Sequence, residues 1–285
     1  MSHQAVYEHR NRSRLRGKTE AVSTRLTRLV SAYFGDRLPM YVVAEFPRSG
    51  GTWLSNMMAD YLRCPKVGPS IIPFACRCVV HNHWRFHKRI RRCVYLSRDG
   101  RDVMTSFYFH RLRLANPEFG DYSASAAERM DAILGKGYDA ADTATNLPKF
   151  LRYEFEHPHS AGRHNWATHV REWFDSNGRD GILYMTYEQL LADPVNALRQ
   201  CVEHVSPITA DHRLLERTVE HYAMAKVTGR KQGEEDRGSF VRKGIAGDWK
   251  NHYGQEAAEV FQKYAGAELI ALGYETDANW VEQVD

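Results

Sequence analysis

The residues with the clearest chemical potential form one short loop, Pro47-Arg48-Ser49-Gly50-Gly51-Thr52. Glycines let a backbone approach a ligand closely, and the N–H groups at a helix start attract anions with the help of the helix dipole. Ser49 and Thr52 add hydroxyl donors, and Arg48 adds a fixed positive charge. The loop therefore predicts a phosphate-binding site.

The loop departs from the nucleoside triphosphatase pattern G-x-x-x-x-G-K-[ST], because Thr52 follows Gly51 directly and no lysine stands between them. That lysine normally contacts the β- and γ-phosphates, so its absence weighs against an ordinary ATPase or GTPase. A P-loop kinase acting on a small acceptor and an inactive nucleotide-binding protein stay open as alternatives.

A second chemical feature is the histidine pair of Val79-Val80-His81-Asn82-His83-Trp84. Histidine titrates near neutral pH and is well suited to accept a proton in a reaction. Two residues that are two positions apart on a strand share a face, so the pair can interact. A metal site with His87 as third ligand is the competing interpretation, but no carboxylate or cysteine completes the set, and we expect no metal.

Alternating strands and helices must position these groups. We predict strands over residues 41–46, 77–84, 92–97 and 181–186. We predict helices over residues 102–110, 165–175, 194–205, 212–225 and 255–271, and two more helices that begin at residues 52 and 187. Residues 112–160 are predicted to form short helices in a long excursion, and 228–238 a mobile loop. The alternation predicts an α/β fold, a single domain with a mostly parallel sheet, helices on both faces and a P-loop-like strand-loop-helix.

Charge is distributed unevenly along the 285 residues, although the net charge is only +4. Residues 1–37 hold eight Arg or Lys against three Asp or Glu, and the remainder holds 31 against 32. The nearly neutral body argues against a general nucleic-acid binder. We predict a flexible basic arm over 1–18, without an assigned role, and one domain over 19–285.

An apolar stripe follows the basic arm, with Val22, Leu26, Leu29, Val30 and Tyr33 at helical spacing. Two interpretations stay open. The segment is a surface helix packed on the domain, or it is an amphipathic helix that lies on a membrane surface or a partner.

The remaining composition points to an intracellular protein. No apolar run approaches the ~18 residues of a membrane helix, and the N-terminus has no apolar signal-peptide region. The five cysteines form no C-x-x-C pair, so we expect reduced thiols. We expect a cytoplasmic protein with no integral membrane segment.

Three segments together resemble the signatures of the cytosolic-type sulfotransferase family. They are Pro47-Arg48-Ser49-Gly50-Gly51-Thr52-Trp53-Leu54, then the segment from Tyr95 to Tyr108 (YLSRDGRDVMTSFY), and Phe240-Val241-Arg242-Lys243-Gly244-Ile245-Ala246-Gly247-Asp248-Trp249-Lys250-Asn251. Their order and spacing also match, and the likeness runs from about residue 40 to 275. The segment from Asn165 to Trp173 is similar to the family's Trp-x-x-His segment, and Pro-Arg-Ser-Gly is the form seen in bacterial members.

The resemblance implies a sulfuryl donor, 3′-phosphoadenosine 5′-phosphosulfate (PAPS), with the desulfated nucleotide PAP as product and no metal. The acceptor is implied to be a hydroxyl of a small molecule, glycan or lipid. The residues implied for the 5′-phosphosulfate are Arg48, Ser49, Gly50, Gly51 and Thr52. The residues implied for the 3′-phosphate are Arg98, Ser106, Arg242, Lys243 and Gly244. Trp53 matches the position that stacks on adenine, Tyr187 matches a position that lines the nucleoside pocket, and Met224 stands where the family often has an aromatic residue.

The resemblance also implies the catalytic residues. His83 aligns with the family's general base and His81 with a lysine position, but the interval from His83 to Arg98 is shorter than usual, so His81 stays an alternative. Arg48 stands where many eukaryotic members have lysine. Because arginine keeps its proton, we expect Arg48 to stabilise the leaving phosphate electrostatically.

The family's dimer motif, Lys-x-x-x-Thr-Val-x-x-x-Glu, is expected just after the third segment. Lys250 and Glu259 keep their places, but Gly254 and Gln255 replace Thr and Val. A homodimer through this motif is therefore an open alternative.

Overall fold

The computed structural model describes residues 22–67, 77–158, 164–175 and 180–284, apart from 24, 28, 32, 36 and 91. The described chain divides into two compact units. The first takes its residues from Met1–Ser97 and Glu172–Lys231, and the second from Arg98–Arg171 and Gln232–Asp285. The predicted arm over 1–18 lies outside the described residues, and the domain boundaries 19–285 stay a prediction.

The elements alternate much as the sequence predicts. In chain order they are β1 (Met40–Glu45), α1 (Gly51–Tyr61), β2 (Lys66–Val67), β3 (Cys78–Asn82), β4 (Cys93–Ser97), α2 (Gly100–Ala115), α3 (Ala124–Leu134), α4 (Thr143–Glu156), α5 (Trp166–Phe174), β5 (Ile182–Thr186), α6 (Tyr187–Ala192), α7 (Pro194–Val205), α8 (His212–His221), α9 (Met224–Thr228) and α10 (Gln255–Ala271). Short 3-10 turns cover Asp248–Asn251 and Ala278–Gln283. The two-residue β2 was not predicted, and the predicted helix 212–225 is broken into α8 and α9.

The five strands of the first unit form one parallel sheet in the order β2-β3-β1-β4-β5. β1 is central, and the chain order reverses on its two sides, which in open parallel sheets places ligands at the carboxyl ends of the strands. In the register, Val43 pairs with His81 and Ala44 with Asn82. Glu45 and His83 therefore follow at the same level of the sheet.

Both faces of the sheet are buried, which explains why β1 is apolar almost throughout. On one face, Val43 packs in a cluster with Leu54 of α1 and Leu198 of α7. On the other face, Val42 packs with Trp173 of α5. Alternate residues of a strand point to opposite faces, so a strand covered on both sides reads as a continuous apolar run.

The described residues between 22 and 34 are helical, but their apolar stripe points outward. The exposed members of the stripe are Val22, Leu26, Leu29 and Tyr33. The buried positions instead carry small hydroxyl side chains, namely Ser23, Thr27 and Ser31. The helix therefore packs on the domain, as one interpretation predicts, but through these positions and Val30, and the rest of the apolar stripe is not the packed face. Among the described residues, no helix is long and apolar enough to cross a bilayer.

In the second unit, the start of α2 is joined to the segment around residue 248 by polar contacts. The Asp102 carboxylate accepts from the backbone N–H groups of Gly247 at 2.7 Å and Trp249 at 2.9 Å. The Arg101 guanidinium lies 3.8 Å from the centroid of the Trp249 ring, a cation–π contact. These contacts hold the segment that follows Arg242 in one arrangement.

Candidate functional site

The loop between β1 and α1 has a backbone that only particular residues allow. Gly50 has φ +101° and Arg48 has φ +75°, which is uncommon for a residue with a side chain. A Cβ atom at Gly50 would lie 2.6 Å from Cδ2 of Tyr187, so any larger residue would displace that ring. The glycine is therefore required both by the turn and by the packing of Tyr187.

Ser49 in this loop is 1% exposed, and its Oγ has no hydrogen-bond partner among the described residues. A buried polar group without a partner costs free energy, so native structures rarely keep one without a reason. A ligand oxygen would supply the partner. The position of Ser49, two residues before α1 begins, fits the predicted phosphate site.

Glu45, the last residue of β1, is the functional candidate that sequence reasoning missed. Its buried carboxylate accepts from Nε2–H of His81 at 2.9 Å and from the backbone N–H of Gly51. Burial alone would raise the pKa of Glu45, but the hydrogen bonds and the charges of His81 and His83 outweigh it and lower the pKa. An acidic residue that ends an apolar strand just before a glycine loop is the signal that could have identified it.

His83 is oriented by the backbone of β1. Its Nδ1 lies 3.2 Å from the Glu45 carbonyl oxygen. A carbonyl only accepts, so Nδ1–H donates and Nε2 is the basic nitrogen of the neutral ring. Burial and the nearby charge of His81 lower the pKa of His83 from 6.5 to about 4. The ring is thus neutral at physiological pH.

The two histidines differ in access. The side chain of His83 is 35% exposed, whereas that of His81 is 11% exposed and bound to Glu45. Their ring centroids lie 5.0 Å apart, which confirms that the two residues share a face. His83 therefore presents a basic nitrogen closer to solvent than its neighbour does.

Glu45, His81 and His83 could together hold a metal ion, since their ligand atoms lie within 4.8 Å of one another. The third ligand would then be Glu45 and not His87, the residue suggested by sequence. Lys66 is affected by the Glu45 charge, and burial lowers the pKa of Lys66 to about 8. The hydrogen bonds from His81 and Gly51 satisfy the carboxylate without an ion.

The residues predicted to line the nucleoside pocket partly come together in the first unit. The Trp53 ring meets the Tyr187 ring edge-on, with centroids 6.3 Å apart, and Trp53 Nε1–H donates to the Tyr222 carbonyl oxygen at 3.1 Å. Met224 lies two residues beyond Tyr222, at the start of α9. Tyr222 is a neighbour of Trp53 that the sequence did not suggest.

The other predicted phosphate residues lie in the second unit. Arg98 Nη2 donates to the Ile245 carbonyl oxygen at 2.9 Å and lies 3.4 Å from Asp102. Ser106, half-buried in α2, is one helical turn beyond Asp102 and so shares its face of the helix. The structure thus brings Arg98 to the segment that carries Arg242.

Arg242 and Lys243 are joined by one buried acid. The Asp248 carboxylate accepts from Nη2–H of Arg242 and, at 2.6 Å, from Nζ–H of Lys243. Burial would raise the pKa of Asp248, but these contacts and one to His252 lower it well below its usual range. Gly244 follows with φ +65°.

Two more contacts fix the Arg242 guanidinium. Its Nη1–H donates to Glu235 at 2.5 Å, and the group lies 4.4 Å from the centroid of the Phe109 ring. A guanidinium has five N–H donors, so an anion can bind beside the carboxylates. Arg242 and Lys243 are therefore a pair of cations that are held in place and balanced in charge by neighbouring carboxylates.

Comparison with known proteins gives matches to one protein family. A family model described as a sulfotransferase domain matches residues 81–273. Sulfotransferase 2B1 of Rattus norvegicus is 26% identical over 191 residues, covering 64% of this chain and 48% of the rat protein. Sulfotransferase 1E1 of Homo sapiens is 23% identical over 266 residues, covering 78% of this chain and 81% of the human protein. The match thus spans about half of the rat protein's length.

Solved structures share the fold. Mouse sulfotransferase SULT7A1, solved in complex with PAP, aligns with a TM-score of 0.61 at 14% identity, covering 93% of this chain and 94% of that one. Retinol dehydratase in a complex with retinol and PAP aligns with a TM-score of 0.58 at 15% identity, covering 90% and 86%. These likenesses confirm the predicted α/β fold.

Proposed function

Because the chain belongs to the sulfotransferase family, we propose that it moves the sulfuryl group of PAPS to a hydroxyl of an acceptor and releases PAP. The observation that carries this proposal lies at the carboxyl ends of β1 and β3. The buried Ser49 hydroxyl, which has no partner in the described part of the chain, follows β1, and the basic nitrogen of His83 follows β3. The mouse relative of the same fold was solved with PAP, which supports the choice of nucleotide.

In this proposal the two anionic ends of the donor are held by different residues. The 5′-phosphosulfate is assigned to Arg48, Ser49, Gly50, Gly51 and Thr52. The nucleoside is assigned to Trp53, Tyr187 and Met224. The 3′-phosphate is assigned to Arg98, Ser106, Arg242, Lys243 and Gly244. Main-chain amides, hydroxyls and Arg48 suit the end whose phosphate gains charge as the sulfuryl group leaves, whereas a group of fixed cations suits the end that does not react.

The transfer step follows from these assignments. His83 Nε2 takes the proton of the acceptor hydroxyl, and the oxygen forms a bond to sulfur as the bond from sulfur to the bridging oxygen breaks. The electron pair stays on the phosphate of PAP, whose charge Arg48 stabilises. Glu45 keeps the adjacent His81 and the Gly51 amide in place. The burial of His81 supports His83 as the base.

The proposal assigns no metal, and it differs in this from a P-loop kinase, the alternative that sequence left open. A kinase would need Mg²⁺ and ATP. The glycine loop lacks the lysine that contacts the β- and γ-phosphates. The family match also favours sulfuryl transfer over this alternative and over an inactive nucleotide-binding protein.

The test is transfer from radiolabelled PAPS to a panel of phenols, steroids, glycans and lipids in the presence of EDTA. We expect a labelled product and PAP, with product formation lost in His83→Ala and kept in the matched control His87→Ala. Transfer that requires an added divalent ion would favour the Glu45–His81–His83 metal site. Turnover of ATP with Mg²⁺ but not of PAPS would establish the kinase.

We also infer a cytoplasmic location, which the likeness to the cytosolic-type family supports. The four described cysteines, Cys64, Cys78, Cys93 and Cys201, are thiols, and burial raises the pKa of Cys201 to about 12. Fractionation of cells that express the chain tests the location. The homodimer stays a prediction that light scattering of the purified chain checks.

A further inference from the structure

The helical segment 22–34 exposes an apolar stripe that the proposed chemistry does not use. Val22 is 56% exposed and Leu29 is 53% exposed, and Leu26 and Tyr33 continue the same stripe. A single exposed leucine is ordinary on a protein surface, but four apolar residues along one helix face form a continuous patch. Such a patch indicates a binding surface.

The opposite side of this helix is already packed. Thr27 is fully buried and Ser31 is 3% exposed, while Val30 contacts the core cluster around Val42. Rotating the helix to bury its leucines would expose these residues and lose those contacts. The stripe is therefore presented to the outside by the fold.

Three arginines lie near the stripe. Arg25 lies on the segment and Arg37 just beyond it, and both are exposed. The Arg89 guanidinium lies 4.1 Å from the centroid of the Tyr33 ring. In the sequence, residues 1–37 carry eight Arg or Lys against three Asp or Glu. The partner of the stripe should therefore combine an apolar layer with negative charge.

We propose that this segment docks on the surface of an anionic lipid bilayer. A helix in this position inserts its apolar face at the boundary between headgroups and acyl chains, and its arginines contact lipid phosphates. A second copy of the chain fits less well, because pairing two such segments brings like charges together. The proposal is independent of the sulfuryl transfer.

The test is co-sedimentation of the full chain with vesicles of phosphatidylcholine alone and with about one third phosphatidylserine. We expect binding to the anionic vesicles, and a bound fraction that falls as salt rises. The variant Leu26→Glu with Leu29→Glu should lower the vesicle affinity by about tenfold or more. The matched control is Tyr122→Glu with Ile270→Glu, two exposed apolar residues outside the segment, and it should bind as the native chain does.

Circular dichroism of both variants checks that they fold, as their exposed positions predict. The charge contribution is tested separately by Arg25→Gln with Arg89→Gln, which should weaken binding to anionic vesicles. The proposal would be overturned if the native chain bound neither kind of vesicle. It would also be overturned if the control variant lost as much vesicle affinity as the stripe variant does. So would a dimer in light scattering that the stripe variant makes monomeric, because the stripe would then bind a second copy.

Discussion

The two sets of residues assigned to phosphate differ in the state of their donors. In the loop after β1, the notable group is a neutral donor, the buried Ser49 hydroxyl, which has no partner among the described residues. In the segment after Phe240, Arg242 and Lys243 are each bound to a carboxylate. The first set presents an unsatisfied hydroxyl next to Arg48, and the second presents cations that are already neutralised.

The difference follows from the cost of burial. A buried hydroxyl without a partner costs a few kcal/mol at most, whereas an unpaired buried charge costs far more. Arg242 is 9% exposed, so it needs Asp248 and Glu235 while no phosphate is bound. We infer that the Ser49 hydroxyl is available to the reacting 5′ end of the donor. We also infer that the carboxylates bound to Arg242 and Lys243 stabilise the folded chain but lower its affinity for the 3′-phosphate.

A change at His83 tests the reacting end of the donor site. His83→Ala removes the proposed base, so kcat should fall by about a thousandfold, while the affinity for PAP stays within about threefold. His87→Ala is the control, since His87 lies outside the cluster with Glu45. Steady-state kinetics and calorimetry measure the two quantities. Full activity in His83→Ala would transfer the role to His81.

The next effect tests the charge-balanced set. Arg242→Ala should weaken PAP binding by about a hundredfold, because it removes a guanidinium fixed by two carboxylates and leaves Asp248 with fewer partners. Arg237→Ala is a close control, since Arg237 also lies over Phe109 and near Glu235 but is more exposed. Equal PAP affinities of the two variants would contradict the assignment of Arg242.

Glu45→Gln tests the link between the loop and the histidines. The amide keeps the size of the side chain but loses its charge, so it weakens the contacts to His81 and to the Gly51 amide. We expect kcat to fall by roughly tenfold or more with a smaller change in KM. A purely structural role would lower the melting temperature and leave kcat per folded molecule unchanged. Rescue by Glu45→Asp would support a need for the charge.

Ser49→Ala separates binding from stability. Because Oγ is buried and has no partner among the described residues, removing it should leave the free energy of unfolding unchanged or raise it by about 1 kcal/mol. The affinity for PAPS should fall by about three- to tenfold. Chemical denaturation and calorimetry make the comparison. A clear loss of stability would show that the hydroxyl serves the fold.

A change of pH near neutrality should have little effect on the activity that depends on His83. Its pKa is lowered to about 4, so kcat/KM of the free enzyme should stay level from pH 8 to 6 and fall as pH drops toward 4 and the ring gains a proton. A histidine in the unfolded chain titrates near 6.5, so between pH 6.5 and pH 4 the unfolded chain binds more protons at this position than the folded chain does. The free energy of unfolding should therefore decrease as pH falls from 6.5 to 4. A kcat/KM limb near pH 6.5 would contradict the lowered pKa.

Much of this arrangement could be predicted from local sequence. The apolar run of β1, the glycine loop and the spacing of α1 placed Arg48 to Trp53 correctly at a strand end, and helix α10 matches its predicted range. These features depend on neighbours in the chain. The α/β class also followed from the alternation of the elements.

Other features depend on contacts between distant segments and could not be derived. Glu45 meets His81 because β1 and β3 are adjacent in one particular register. Asp248 neutralises Arg242 only once its 3-10 turn forms. The stripe over 22–34 has the period of a packed helix, and only the burial of Thr27 and Ser31 shows that it faces outward.

We propose that the chain recognises a nucleotide by its 5′ end and its 3′-phosphate through separate residues. The direct measurement is calorimetry with PAP and with adenosine 5′-monophosphate, which lacks the 3′-phosphate. The native chain should prefer PAP by about a hundredfold, Arg242→Ala should lose most of that preference, and Ser49→Ala should weaken both ligands alike. Equal affinity of the native chain for the two nucleotides would contradict the claim.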